Sequence, residues 1–366
     1  MGGPLGLRAI SSKVHPMSVR SASPALAAAL LFGASTPFAK LLVGDVPPLL
    51  LAGLLYLGSG IGLGALLAIR QLWDRPDQAP AVGISKKDIP WLLGAVLFGG
   101  MLGPALLMWG LTETSGATAS LLLNVEGVLT AVIAWVVFKE NADRHIVLGM
   151  VAIVVGGVLL SWQPGGASLS PHALLVVAAC LCWGIDNNLT RQVSSNDAMV
   201  IACCKGLLAG VSNTALAVYM GAQQPEPAAV ISSMAVGFLG YGLSLTLFVV
   251  GLRTLGTART GAYFSVAPLF GVALSFAIWQ EAPSTLFWAA AVFMGIGVWL
   301  HLRERHEHEH THEPIVHTHS HRHDEHHQHG HGAEWGGKEP HVHAHTHEVL
   351  THRHPHYPDI HHRHVH

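Results

Sequence analysis

The chain has 366 residues, half of them apolar by type and only 11% charged, with a net charge of −2. Soluble domains carry about 25% charged residues, so most of this chain is not a soluble globular protein, and a near-neutral charge without a basic face argues against nucleic-acid binding. The mean hydropathy of +0.41 averages two unlike regions: residues 1–302 hold 14 Lys/Arg and 12 Asp/Glu, whereas the last 64 hold 6 and 10 and little apolar content.

Residues 1–23 carry Arg8, Lys13 and Arg20 but no apolar stretch. That pattern predicts an N-terminal cytoplasmic segment and no cleavable signal peptide, with Met1 or Met17 as the start. Ten apolar runs follow: Pro24–Val43, Pro47–Ile69, Pro90–Leu111, Gly116–Phe138, His145–Trp162, His172–Leu189, Ala198–Met220, Ala229–Leu252, Thr260–Trp279 and Pro283–Leu302. A hydrocarbon core about 30 Å thick takes roughly 20 apolar residues per helix, so the pattern predicts an all-α polytopic membrane protein with ten transmembrane helices. Twelve Lys/Arg (Arg8, Lys13, Arg20, Arg70, Arg75, Lys86, Lys87, Lys139, Arg144, Arg191, Arg253 and Arg259) fall on one side of this arrangement, and the loops of the other side hold none. By the positive-inside rule both termini lie in the cytoplasm. The organisation is then 24–162, 163–302 and a tail from 303 to 366.

Runs four and five align with nine and ten at an ungapped offset of 141: Gly110-Leu111 with Gly251-Leu252, Ala117 with Ala258, Val125 with Val266, Glu140 with Glu281, Gly156 with Gly297. Each repeat would hold five helices, and an odd number inverts the second copy. Inverted repeats are the mark of alternating-access transporters. The run Leu123-Asn124-Val125-Glu126-Gly127-Val128-Leu129-Thr130-Ala131 leading to Phe138-Lys139-Glu140, its counterpart Ser265-Val266-Ala267-Pro268-Leu269-Phe270-Gly271 leading to Trp279-Gln280-Glu281, and the pairs Phe32-Gly33 and Trp183-Gly184 resemble the EamA-type proteins of the drug/metabolite transporter superfamily. The resemblance covers about residues 24–302 and implies secondary transport, often export of small metabolites or amino acids. It departs from the family at Glu126, near a place where the family often has Pro.

An ionisable residue within a membrane helix is costly and marks function. Glu126 is the candidate coupling carboxylate or substrate ligand; Asn124, two residues away, is expected on another face, bonding a neighbouring helix. Asp186, Asn187 and Asn188 form a polar cluster in run six, and Lys205 lies at a similar depth in run seven. An Asp186–Lys205 ion pair is expected there, either fixing the packing or gating a path. Lys40 is read as an interfacial anchor. Cys180, Cys182, Cys203 and Cys204 are read as packing residues, because residues two apart on a helix point about 160° apart. Pro37, Pro104 and Pro268 are expected to interrupt their helices. The glycines from Gly58 to Gly64 are read as a packing face and not a phosphate loop. No nucleophile–base arrangement points to an enzyme, and the membrane domain requires no cofactor.

Of 27 His, 24 lie within residues 301–366. They alternate in blocks: His306, His308, His310, His312; His317, His319, His321, His323; His341, His343, His345, His347; His352, His354, His356. Imidazole is a ligand for nickel, zinc, cobalt and copper, so the tail is expected to bind divalent transition metal. Its low apolar content predicts disorder without metal. The expected partners are the lipid bilayer, a small-molecule solute and transition-metal ions at the tail. The reading is a secondary transporter of a bacterial inner membrane, exporting a small organic metabolite or amino acid with proton coupling. A divalent-metal permease and a membrane-anchored metal sensor or store are the alternatives.

Overall fold

Within a hydrocarbon layer every backbone polar group must be satisfied inside its own segment, so the apolar runs become helices. The computed structural model describes residues 19–73, 85–138, 144–162, 169–193, 196–255, 263–280, 282–302, 307–312, 316–321, 341–346 and 350–355. The chain divides into two units, Met1–Arg303 and Glu304–His366.

The first unit is helical: α1 Val19–Leu42, α2 Pro48–Trp73, α3 Ile89–Ala95, α4 Gly103–Glu113, α5 Gly116–Leu122, α6 Val125–Phe138, α7 Arg144–Ser161, α8 Pro171–Gln192, α9 Ala198–Tyr219, α10 Pro227–Gly237, α11 Ser244–Leu255, α12 Ala267–Trp279 and α13 Thr285–Leu302. Single π-helical turns, Val96–Leu102 and Phe238–Leu243, join α3 to α4 and α10 to α11. Among the described residues, seven helices are long and apolar enough to cross a membrane, and three shorter apolar helices, Val147–Ser161, Ala267–Trp279 and Thr285–Leu300, accompany them.

Four expected continuous helices are therefore modified. The third and eighth runs each contain a π turn. The fourth is broken: Leu123 and Asn124 form a turn between α5 and α6. In the ninth, Ser265 and Val266 form a turn immediately before α12. Two of the three flagged prolines mark such places, Pro104 in the first turn of α4 and Pro268 in the first turn of α12, where a missing N–H is tolerated. Pro37 instead lies inside α1.

Small residues let the backbones meet. A Cβ on Gly206 of α9 would lie 2.6 Å from the Gly60 nitrogen of α2, and one on Gly60 would lie 2.5 Å from the Leu207 nitrogen. Such close approach, and not apolar burial, drives helix association in lipid. Gly58 and Gly62 face the other way, onto Met234 and Phe238. The largest core cluster joins Ala39, Leu49–Leu55, Leu107, Met108, Leu111, Leu122, Val176 and Trp183. At one edge of it Lys40 Nζ donates to the carbonyls of Leu111 (2.5 Å) and Thr112 (3.1 Å), tying α1 to the end of α4. The four cysteines are free thiols, three of them buried.

In the second unit, β1 Glu307–His312 pairs antiparallel with β4 Leu350–Pro355, and β2 Val316–His321 pairs antiparallel with β3 His341–Thr346. These four segments have a composition that offers no packed core. Their period-two alternation, with Thr and Val between the His, fits a strand. Glu140, Glu281, His306, His323, His347 and His356 lie outside the described residues.

Candidate functional site

The break in the fourth apolar run creates the site. Ser115 caps α5, its Oγ accepting the Thr118 N–H at 3.2 Å. At the far end of α5, Asn124 Nδ2 donates to the Leu121 carbonyl at 2.9 Å. Asn124 thus satisfies its own interrupted helix; the expected bond to a neighbouring helix is replaced by this local one. The helix restarts at Val125, which sets Glu126 in the first turn of α6. A carboxylate there meets the positive end of the helix dipole and free N–H groups.

Helix α8 supplies the partners. It crosses α6 at Gly184, where a Cβ would stand 3.1 Å from the Thr130 nitrogen. That approach brings Asn187 Nδ2 to Glu126 Oε1 at 2.9 Å and to Thr130 Oγ1 at 3.2 Å. Asn188 Nδ2 donates to the carbonyls of Gly184 (2.8 Å) and Thr130 (3.1 Å). Glu126 is half-buried, while Asn187 and Gly127 are exposed. A Cβ on Gly127 would meet nothing within 4 Å. Open space therefore lies directly beside the Glu126–Asn187 pair.

Immediately before Asn187 on α8, Asp186 is 5% exposed. Lys205 Nζ of α9 donates to both its carboxylate oxygens at 2.6 Å, and Thr190 Oγ1 donates to Oδ1 at 2.8 Å. A buried carboxylate requires such company, because unpaired it is strongly unfavourable. Both members of this pair are near enough to Glu126 to act on it electrostatically.

The π turn of Val96–Leu102 forms the wall behind Asp186. At Gly99 there is no room for a side chain, since a Cβ would overlap the Asp186 carboxylate. A π turn leaves carbonyls without their α-helical partners, and here other helices use them. Tyr56 Oη and Trp183 Nε1 both donate to the Gly99 carbonyl, at 2.7 and 3.0 Å. Asn213 Nδ2 donates to the carbonyls of Gly100 and Met101, both at 3.3 Å. The rings of Tyr56 and Tyr241 lie 5.6 Å apart, carrying the aromatic wall across to the second half of the molecule.

Of the expected site residues, Glu126 and Asn187 bond each other, Asp186 and Lys205 pair, and Asn124 closes the helix break. Sequence reasoning passed over Tyr56, Thr130, Asn213 and Tyr241, which lie in apolar runs with nothing to separate them from core residues. The only available signal was the polar atom each carries at membrane depth. Among the described residues no group of three or more His, Cys, Asp and Glu is placed to hold a metal.

A broken-helix bundle with a polar centre defines a membrane transporter class, and the family follows. The EamA-like transporter family matches residues 21–162 and again 170–303. The chain belongs to that family; it is an integral membrane protein and not an enzyme. It is 25% identical over 288 residues to an uncharacterised transporter of Methanothermobacter thermautotrophicus, covering 75% of this chain and 83% of that one. It is 22% identical over 203 residues to a probable terminal-alkyne amino-acid exporter of Streptantibioticus cattleyicolor, covering 55% of this chain and 68% of that one. A solved crystal structure superposes with a TM-score of 0.55 at 18% identity, over 78% of this chain and 97% of that one, a likeness of fold.

Proposed function

We infer that the chain is a ten-span secondary active transporter built from two inverted five-helix repeats. It lies in a bacterial inner membrane with both termini in the cytoplasm. It exports a small organic metabolite of the amino-acid type in exchange for protons, and its tail binds divalent transition metal as a buffer or regulator. The observation that carries the transport reading is Glu126 at a helix break, bonded to Asn187 and bordered by open space at Gly127. A carboxyl in that position can hold a proton on one leg of the cycle and a substrate ammonium on the other. Asn187 and Thr130 offer hydrogen bonds to the rest of the solute, and the Asp186–Lys205 pair fixes α8 against α9 beside it. A relative named as an amino-acid exporter is consistent with that chemistry.

The test is transport by the purified full chain in proteoliposomes, with a panel of labelled amino acids as probes. Expected is accumulation driven by a proton gradient. Glu126→Gln should abolish the gradient-driven component and weaken solute counterflow, since the ammonium loses its charged partner. Gradient-driven transport with an unchanged pH profile in Glu126→Gln overturns the coupling assignment. The metal-permease alternative is tested by elemental mass spectrometry of cells expressing the full chain or a chain ending at Leu302. A shift in cell metal that survives removal of the tail would establish it.

A further inference from the structure

We propose that Cys180 and Asn188 are positioning residues for Glu126: from one face of α8 they hold both sides of the break in the fourth apolar run and so fix where the carboxyl stands. This rests on reading Glu126 as the carboxyl of the transport site and goes beyond it, because it assigns what keeps that carboxyl in place.

A broken helix leaves carbonyls at the end of its first piece and N–H groups at the start of its second. Here the first piece, α5, has only seven residues, too few to hold its own direction. Part of the need is met locally: the Asn124 N–H donates to the Leu121 carbonyl at 3.2 Å, and the Glu126 N–H to the Leu123 carbonyl at 3.1 Å. The Leu122 carbonyl is met by α8, where Cys180 Sγ donates to it at 3.7 Å. The Glu126 N–H also faces that sulfur. One thiol thus touches the last residue of α5 and the second residue of α6. Cys180 is fully buried, in a cluster with Leu121 on one side of the break and Val125 on the other.

The same face of α8 continues past the break. Gly184, Asn187 and Asn188 follow Cys180 at i+4, i+7 and i+8, the spacing of one helical stripe. Gly184 admits the α6 backbone at Leu129 and Thr130. Asn187 bonds the Glu126 carboxyl, and the buried Asn188 donates to the Thr130 carbonyl at 3.1 Å. Cys180 therefore fixes the start of α6 and Asn188 its second turn, and Glu126 travels with Asn187 as one body. The groups that act on Glu126 electrostatically come from four elements: Asp186 and Cys180 of α8, Lys205 of α9, Tyr56 of α2 and Tyr241 of the second π turn. A displaced carboxyl changes its distance to all of them, so misplacement reads out as a changed proton affinity.

The test is carbodiimide labelling of Glu126 over a pH series, on the full chain in detergent, quantified at that residue by mass spectrometry. Carbodiimides react with the protonated carboxyl, so the labelling midpoint reports proton affinity without requiring transport. Proton-driven amino-acid uptake in proteoliposomes is measured beside it. Cys180→Ala and Asn188→Leu should each move the midpoint by about half a pH unit or more, roughly threefold in proton affinity. Cys180→Ser, which keeps a donor at the same place, should return it towards the parent value. Cys182→Ala removes a second buried thiol from the opposite side of α8 and should leave the midpoint where it was. Midpoints unmoved in both Cys180→Ala and Asn188→Leu, or moved as far by Cys182→Ala, overturn the positioning role whatever happens to the melting temperature. If the midpoints move as expected in a chain whose parent shows no proton-driven uptake, the positioning role stands and the transport reading falls.

Discussion

The two halves of the membrane unit share the same interruptions and differ in what surrounds them. In the first, a π turn ends at Leu102 and the α-helix resumes at Gly103; in the second it ends at Leu243 and resumes at Ser244, 141 residues on. In the first, a turn at Leu123–Asn124 precedes α6; in the second, a turn at Ser265–Val266 precedes α12. Gly99 packs on Asp186 of α8, two residues after Gly184; Gly240 packs on Ser35 of α1, two residues after Gly33. At the offset of 141, however, the counterpart of Glu126 is Ala267. Ser35 donates to its own helix, to the Phe32 carbonyl at 2.6 Å, where Asp186 is paired to Lys205. The backbone frame thus follows from packing that both halves satisfy, while the charged chemistry is carried by a few side chains, Glu126 in the first half and Asp186 and Lys205 in the second.

The sharpest way to break that comparison is to remove one charge. Lys205→Met leaves the Asp186 carboxylate buried and unpaired and should cost about 3–5 kcal/mol, whereas Asp186→Leu with Lys205→Met should recover most of it. Ser35→Ala, at the matching place, should cost no more than about 1 kcal/mol. Thermal unfolding in detergent checks all three, and a single variant as stable as the parent would show that the pair is not a structural determinant. Gly99→Ala forces a methyl against the Asp186 carboxylate; overpacking of this kind costs about 1–3 kcal/mol, and transport should fall with it. Gly127→Ala meets no neighbour, so it should leave the melting temperature unchanged and alter only transport kinetics. Tyr56→Phe removes one of the two donors to the Gly99 carbonyl and should cost about 1 kcal/mol.

The smallest expected effect lies outside the spans. The backbone N–H of Ser85, its side chain and the Asn196 amide hold the Asp88 carboxyl below the usual carboxylate range. Its contribution is complete above the ordinary carboxylate pKa of about 3.9 and is lost as the pH falls through the lower folded value. Asp88→Asn should remove that small contribution at neutral pH and flatten the acid limb of stability.

Much of this was legible in the sequence because charge inside an apolar run stands out. Glu126, Asp186, Asn187 and Lys205 were visible on that ground alone. The helix break was not, since Leu121-Leu122-Leu123-Asn124-Val125 reads as continuous apolar helix and the turn is made by local backbone geometry. Pro268 hinted at the break in the second half, but the first half has Gly127 at that offset. The π turns left no trace, because one surplus residue within a helix does not change its composition. Tyr56 and Asn213 became recognisable only once the freed carbonyls of Gly99, Gly100 and Met101 were in place to accept from them.

The paired π turns set the direction of the helix that follows each of them. A π turn is one residue added to an α-helix, and it rotates everything beyond it by about 100° about the axis. Finding it at matching positions, ending at Leu102 and at Leu243, means that both halves turn the helix beyond it by the same amount. Glu126 and Asp186 have no charged counterparts at Ala267 and Ser35, so the two halves share a shape and differ in chemistry. The shared turn thus sets the direction of each half's helix, and the side chains placed on it set what that half can bind.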